Sequence, residues 1–305
     1  MGIPVILDTD IGTDVDDCLA LALILGSPEL QLEGVTCVYG DVALRGRMAQ
    51  KLLSLAGCGD VPVRVGSSKP LLGLRPVYWA GHEGEGLLGP GDENIPLSEE
   101  HAVDFLIRSV MNSPGQIHLI AIGPLTNVAL ALLEEPRLAQ ALAHLTIMGG
   151  AVRGTDRLDL PYAEHNIRSD PEAAHVVFRS GAPTTLVPLD VTTRVGISRE
   201  GLARLRGVGS PFHQAIAEQV ALYPRFQARG YTNTHDPLAV ATVIQPDLVE
   251  LETLHVDLEL AGQHAVGATL VRAPTESAPA NVGLALKVDV ERFESFLIER
   301  LSKSA

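Results

Sequence analysis

Five aspartates crowd into ten residues near the start of the chain: Asp8, Asp10, Asp14, Asp16 and Asp17, within the stretch IPVILDTDIGTDVDDCLALALIL from Ile3 to Leu25. A short apolar run leads into them, and an apolar, helix-like run leaves at once. Carboxylates at this density repel one another unless positive charge sits among them, and a bound divalent cation is the commonest way to supply it. The pattern points to a metal site at the end of a first strand. Part of it has a plainer reading, because Asp14 followed by Asp17 just ahead of Leu19 is the composition of a capped helix start. One cap uses one or two acids, which leaves Asp8, Asp10 and Asp16 to be explained. An EF-hand loop does not fit: its twelfth position, counted from Asp8 or Asp10, falls on Leu19 or Leu21 where a bidentate Glu is required. A phosphatase working through an aspartyl phosphate also uses two Asp after a first strand, and it stands as the rival enzyme.

Three further stretches carry groups that could act with this cluster. IAIGPLTNVALAL, Ile120 to Leu132, runs from a strand into a helix through a Gly-Pro turn, where the Thr126 carbonyl could complete a cation site without adding charge. Taken alone it is also an ordinary strand-to-helix connection. THDPLAVATVI, Thr234 to Ile244, sets Asp236 before a proline in the usual cap pairing, as Asp170-Pro171 does elsewhere. His235 just ahead of it, on an irregular loop, suits a proton donor near neutral pH. DLPYAEHNIRSDPEAA, Asp159 to Ala174, brings Glu164 and Asn166 two residues apart, so that in an extended segment both point one way and could hold the vicinal hydroxyls of a sugar. The GxGxxG run at Gly84–Gly89 follows no strand and precedes no helical pattern, so it reads as a glycine-rich loop with His82 at its edge as a polar contact.

The elements that must position these groups alternate. Apolar, β-branched runs at 3–7, 32–39, 61–65, 117–122, 145–148 and 184–189 are separated by helical patterns near 16–26, 43–57, 98–113, 125–133 and 170–180. That order predicts an open, mainly parallel α/β sheet flanked by helices, with ligands at the carboxyl ends of the strands. A helix is expected at 211–228, then a loop from Arg229 to Thr234, then strands near 254–260, 267–271 and 283–288 and a last helix near 290–302. With 305 residues, 46% of them hydrophobic, the chain can bury a large core. Its formal charge of −14 argues against nucleic acid and anionic membranes, which need clustered Lys and Arg, and favours small neutral or cationic ligands. Nothing at the start reads as a secretory signal, and the longest apolar runs fall short of a membrane helix. Three cysteines, Cys18, Cys37 and Cys58, in no ligand-like spacing read as reduced thiols of a cytoplasmic protein.

Together the segments resemble a known family. DTDIGTDVDDCLAL at Asp8–Leu21, IGPLTNVA at Ile122–Ala129, MGG at Met148–Gly150, AEHN followed by DPEAA, and HDPLAVA at His235–Ala241 are similar, in the right order, to the inosine-uridine nucleoside hydrolases. The resemblance implies an open α/β fold over 1–305 as one domain, one tightly bound Ca2+ ion, and hydrolysis of the N-glycosidic bond between ribose and base. It implies that Asp10, Asp17, the Thr126 carbonyl and Asp236 ligate calcium, with Asp10 also the general base for a calcium-bound water. Asp16, Glu164 and Asn166 match ribose-binding residues, His235 the residue beside the leaving base, and Asp8 a support for the ligand shell. Such enzymes are usually dimers or tetramers, so a homo-oligomer is expected.

The chain departs from the family's pattern at three places. Two extra residues, in Ile11-Gly12-Thr13-Asp14-Val15, separate the first carboxylates from the paired ones; Gly40-Asp41 stands where Gly-Asn is usual, which makes Asp41 the candidate sugar contact; and Leu158 with Asp159 replaces an Asn. His82 with His235 is similar to the pyrimidine-preferring members. Arg225, Phe226, Arg229 and Tyr231, on or beside an active-site flap expected around 207–235, are candidates for stacking on a larger base. Two rivals to a nucleosidase remain at this level, the metal-dependent phosphohydrolase and a non-catalytic, calcium-dependent nucleoside-binding protein.

Overall fold

The computed structural model describes residues 2–154 and 156–303; Met1, Thr155, Ser304 and Ala305 lie outside the described residues. The chain opens with β1 (Ile3–Thr9), α1 (Asp16–Leu25), β2 (Leu30–Cys37), α2 (Val42–Leu55) and β3 (Val63–Val65). After a long segment come α3 (Ala102–Asn112), β4 (His118–Ala121), α4 (Thr126–Glu134), α5 (Leu138–Ala141), β5 (His144–Met148), α6 (His165–Ser169), α7 (Pro171–Phe178), β6 (Thr184–Val187) and α8 (Leu189–Thr192). The remainder holds β7 (Gly196–Ser198), α9 (Arg199–Gly207), α10 (Pro211–Leu222), α11 (Pro224–Arg229), β8 (Tyr231–Asn233), α12 (His235–Ile244), β9 (Val249–Leu258), β10 (Thr269–Arg272), β11 (Val282–Val288) and α13 (Val290–Leu301).

Nine strands form one sheet in the order β10-β9-β11-β6-β5-β4-β1-β2-β3. From β3 to β6 all neighbours are parallel, β11 joins β6 in parallel, and β9 and β10 close that edge antiparallel. The chain order reverses between β1 and β4, and a crevice opens at the carboxyl ends of strands at such a point. Asp8 and Thr9 end β1, Asp10 follows at once, and Ile122 lies just past the end of β4. The topology alone therefore puts the aspartate cluster at the crevice.

The helix that follows the cluster has no polar face. Every residue from Asp16 to Ile24 is buried, as expected for an apolar helix covered on all sides, here partly by α12. Elsewhere the expected elements need correction: α5, α6, α8, β7 and α9 are not among them, and the strand expected near 254 begins at Val249. The single helix expected over 211–228 is two, because Pro224 excludes helical geometry from the residue before it; Tyr223 is extended, at φ −61° and ψ 124°, and makes a corner between α10 and α11. The loop expected from Arg229 to Thr234 contains β8, which pairs antiparallel with β7. The helix expected from 98 begins only at Ala102, where the His101 side chain caps it. Cys18, Cys37 and Cys58 are unpaired thiols. No described helix is long and apolar enough to cross a membrane.

At the opposite, amino ends of the strands, His118 and His144 stand side by side on β4 and β5 with ring centroids 5.1 Å apart. Their Nε2 atoms pair with the hydroxyls of Thr146 and Thr185, each at 2.9 Å. Burial, and then the neighbouring imidazole, push His118 down to about 3, and burial lowers His144 as well. Between an unfolded value near 6.5 and the folded one, the unfolded chain binds a proton that the folded one refuses, so stability is lost as pH falls through that window. In urea titrations His118→Gln should lose less stability than wild type between pH 7 and 5, by about 1–2 kcal/mol. Equal losses would mean that the folded ring takes up its proton normally.

Candidate active site

The Asp8–Asp17 segment folds so that its side chains part company. Asp8, fully buried, turns one oxygen toward the Thr36 hydroxyl and the Asn127 amide, the latter at 2.8 Å. Its other oxygen, Oδ2, is buried with no partner. Burial pushes Asp8 up to about 7 against the two hydrogen bonds that lower it. Asp16 and Asp17 open α1, and Asp236 sits in the first turn of α12, where its backbone N–H donates to Asp16 Oδ2 at 3.1 Å. Two helix N-termini thus converge on one group of carboxylates, and their partial positive ends offset some of the repulsion. Asp16, Asp17 and Asp236 each present an oxygen within 4.8 Å of the others, all three buried. Burial, and after it the neighbouring aspartates, raise all three well above the ordinary carboxylate range.

None of these three has a salt-bridge partner among the described residues. Arg168 and Arg225 line the same cavity as the carboxylates. Arg45, fully buried beside the aspartate loop, donates to the carbonyls of Tyr39, Asp10 and Ile11 and to the Thr13 hydroxyl. Arg45 shapes the 10–13 loop and offsets only part of the carboxylate charge, lowering Asp17 against the larger effects of burial and Asp10. Gly12 in that loop has φ +119°, and a Cβ there would stand 2.8 Å from Met48 Sδ, so glycine alone fits. Hard oxygen donors, buried and unneutralised, fit a hard divalent cation.

The cluster forms one wall of a cavity of about 680 Å³. Asp10, Asp16, Asp17 and Asp236 line it together with Glu164, Asn166, His82 and His235. Glu164 and Asn166 reach it from a helix start and not from an extended strand. Glu164 caps α6 through the N–H groups of Asn166 and Ile167 and also accepts from Gly150 at 3.0 Å, and Asn166 Nδ2 donates to the carbonyls of Ile122 and Met148. Burial raises Glu164. His235 is the first residue of α12, not part of a loop, and its Nδ1 pairs with the Thr192 hydroxyl at 2.8 Å. Burial pushes its imidazole down to about 4. His82 Nε2 is 3.0 Å from the Thr13 carbonyl, and its ring leans on Tyr223.

Several expected residues do not reach the cavity. Thr126 lies past the Gly123-Pro124-Leu125 turn as the first residue of α4, fully buried, with its hydroxyl on Asp170 Oδ2 at 2.6 Å. The residue of that segment that does line the cavity is Ile122, at the end of β4. A Cβ on Gly123 would come within 2.9 Å of the Asp10 nitrogen, so this turn is packed directly on the aspartate loop. Asp41 is exposed and caps α2 by accepting from Leu44 N–H at 2.9 Å, which turns it away from the site. Asp14 does not cap α1, whose preceding residue Val15 offers no side-chain bond; it faces Tyr223 and Arg225 instead. Of the four candidates for base stacking only Arg225 lines the cavity; Phe226 is buried in the core, and the Tyr231 hydroxyl is turned to Glu294. The sequence reading missed Tyr223, Tyr78 and Ile122 as lining residues. The Tyr-Pro step at 223 signalled a corner, and Ile122 ends a strand at the order reversal.

The family model described as inosine-uridine preferring nucleoside hydrolase matches residues 5–295. The chain is 34% identical to the inosine-uridine preferring nucleoside hydrolase of Crithidia fasciculata, over 98% of this chain and 97% of that one. It is also 34% identical to the pyrimidine-specific ribonucleoside hydrolase RihA of Citrobacter koseri, over 99% of both chains. Among solved structures, a purine-preferring ribonucleoside hydrolase from Gardnerella vaginalis superposes with a TM-score of 0.87 at 30% identity, covering 98% of both chains.

Proposed function

This chain belongs to the inosine-uridine preferring nucleoside hydrolase family and is an N-ribosyl hydrolase acting on ribonucleosides, and on that footing we propose a calcium-dependent mechanism with a preference for pyrimidine bases. The observation that carries the mechanism is the meeting, in one cavity, of three buried carboxylates without a counter-ion, a Glu-Asn pair and two histidines. Asp10, Asp17 and Asp236 would hold the ion, with Asp16 beside them. Ile122 replaces Thr126 as the backbone oxygen donor in this reading, since Ile122 lines the cavity. When bound, calcium would supply the positive charge that acidifies a water and attracts the hydroxyl oxygens of a sugar.

The residues then divide the work by charge. Breaking the ribosyl C–N bond builds positive charge on the sugar and negative charge on the base. Asp10, at the mouth of β1, accepts the proton of the attacking water. The surrounding carboxylates favour the cationic sugar electrostatically. Glu164 and Asn166 orient the ribose, both held by bonds to the backbone that fix their rotamers. His235, lowered by burial, is neutral at pH 7, so it steadies the departing base through a neutral N–H and not as an imidazolium. His82 faces the same end. Residues 207–235 act as a flap over the base, and the protein works as a cytoplasmic homodimer or homotetramer.

Base release from a panel of uridine, cytidine, inosine, adenosine and their 2′-deoxy forms tests this. Ribonucleosides should turn over with uridine ahead of inosine in kcat/KM, and deoxy forms should be slower by roughly a hundredfold or more, because a site built around a hydroxyl rejects its absence. Inosine matching or exceeding uridine removes the pyrimidine preference. Calcium-loaded protein that binds nucleosides and releases no base would be the non-catalytic binding protein instead.

A further inference from the structure

The extra residues of the aspartate loop tie together three segments far apart in sequence. The Thr13 hydroxyl donates to Glu83 Oε1 at 3.1 Å and accepts from Arg45 Nη2 at 3.0 Å, while the Glu83 carboxylate holds the N–H groups of Ala80 and Gly81. The glycine-rich loop is thereby fastened to the loop that carries the carboxylates. Asp14 does the same for the α10–α11 corner. Its Oδ2 accepts from the Tyr223 hydroxyl at 2.7 Å and stands 3.8 Å from Arg225, while its Oδ1 takes the Val15 N–H at 2.7 Å.

The two partners are not equivalent. The Arg225 side chain is 64% exposed, and an ion pair that long in solvent contributes little. Tyr223 is only 8% exposed, and a hydroxyl-to-carboxylate bond made by a buried ring is the stronger and more directional contact. Tyr223 has no helix of its own to hold it, because it is the extended residue between two helices, yet Asp14, Tyr223, Arg225 and His82 all line the cavity. Among the described residues, the hydrogen bond and the ion pair from this corner to the aspartate loop both end on Asp14.

We propose that Asp14 is a positioning residue for the base end of the site: it latches the Tyr223–Arg225 corner to the loop carrying the carboxylates and so fixes where the wall against the base stands. The latch rests on the nucleosidase reading for its effect on turnover, and on geometry alone for its effect on the corner. Both oxygens of Asp14 are engaged within the protein, so it acts through Tyr223; the carboxylates of Asp16, Asp17 and Asp236 feel its charge, but its oxygens are not grouped with theirs.

Hydrogen-exchange mass spectrometry of the full-length protein, with steady-state kinetics on uridine and inosine and calcium titration, tests this with Asp14→Ala, Tyr223→Phe and the double variant. Amides of 222–229 should exchange roughly tenfold faster in each single variant, with little further gain in the double, because both remove one contact. KM should rise about fivefold or more with kcat changed much less, and Asp14→Asn, which keeps one acceptor oxygen and can still pair with the Tyr223 hydroxyl, should recover part of the loss. Calcium affinity should fall by only roughly threefold, and alike in Asp14→Ala and Asp14→Asn, because each removes one nearby negative charge and no ligand. Unaltered exchange in Asp14→Ala overturns the latch whether or not the protein turns over nucleosides, and a loss of calcium affinity of roughly a hundredfold or more overturns it by placing Asp14 among the ligands. Faster exchange in a protein whose wild type releases no base sustains the latch and sinks the nucleosidase reading alone.

Discussion

Asp10→Asn should lower kcat/KM for the best ribonucleoside by roughly a thousandfold or more, the combined contribution expected of a positioned base and a metal ligand. The substitution keeps the shape of a side chain that is 7% exposed at the end of β1 and lines the cavity, so the loop need not move. What it removes is a proton acceptor and one negative charge. Asp236→Asn separates these effects. It takes one carboxylate out of a buried trio whose members raise one another's proton affinity, so the calcium-free protein should unfold at an equal or higher temperature than wild type while turnover falls steeply. Opposite signs for stability and activity are the mark of charge kept for function. Turnover by Asp10→Asn within tenfold of wild type would remove Asp10 as the proton acceptor, and a marked fall in the metal-free melting temperature of Asp236→Asn would mean that the trio is not under mutual repulsion.

Chelation should have a comparably large effect. Asp16, Asp17 and Asp236 are buried without a cationic side chain to pair with, and Arg45 is committed to backbone carbonyls. Treatment with a calcium-selective chelator should abolish base release and lower the melting temperature of wild type by about 5–10 °C relative to protein in hundredfold excess of calcium over its Kd, which corresponds to about 2.7 kcal/mol of binding linkage. Readdition of calcium should restore both. In Asp236→Asn the calcium-dependent part of the shift should largely vanish, because a hard cation needs its charged oxygens. Full activity after exhaustive chelation, verified by metal analysis, would overturn the metal requirement.

On the proposed reading, base preference rests on a handful of side chains at the end of the cavity away from the carboxylates. Relatives of this chain include a pyrimidine-specific and a purine-preferring hydrolase at similar identity. His82 and His235 are lining residues, but so are Tyr223 and Arg225, which come from the corner that Pro224 creates. On that reading discrimination between bases follows the placement of that corner, and the Asp14 variants test it.

By itself, the sequence determined the order and type of the main elements. Alternating strand-like and helix-like runs imposed the parallel sheet, because hydrophobic period and segment length decide which elements form and βαβ order decides how they pair. The density of acids at 8–17 announced a cation site, because no single cap could use them all, and the ordered set of segments announced the family. What only the tertiary structure decided was the direction of individual side chains at turns. Thr126 and Ile122 are four residues apart, yet the turn between them makes one the buried first residue of α4 and leaves the other at the crevice. Asp41 looks like a sugar contact in a string of letters and is a solvent-facing cap in space, while Asp14 looks like a cap and instead holds Tyr223, 209 residues away in the chain. A turn residue has several local hydrogen-bond partners of similar strength, so which one it takes is settled by which distant segment packs beside it, and that information resides in the assembled fold.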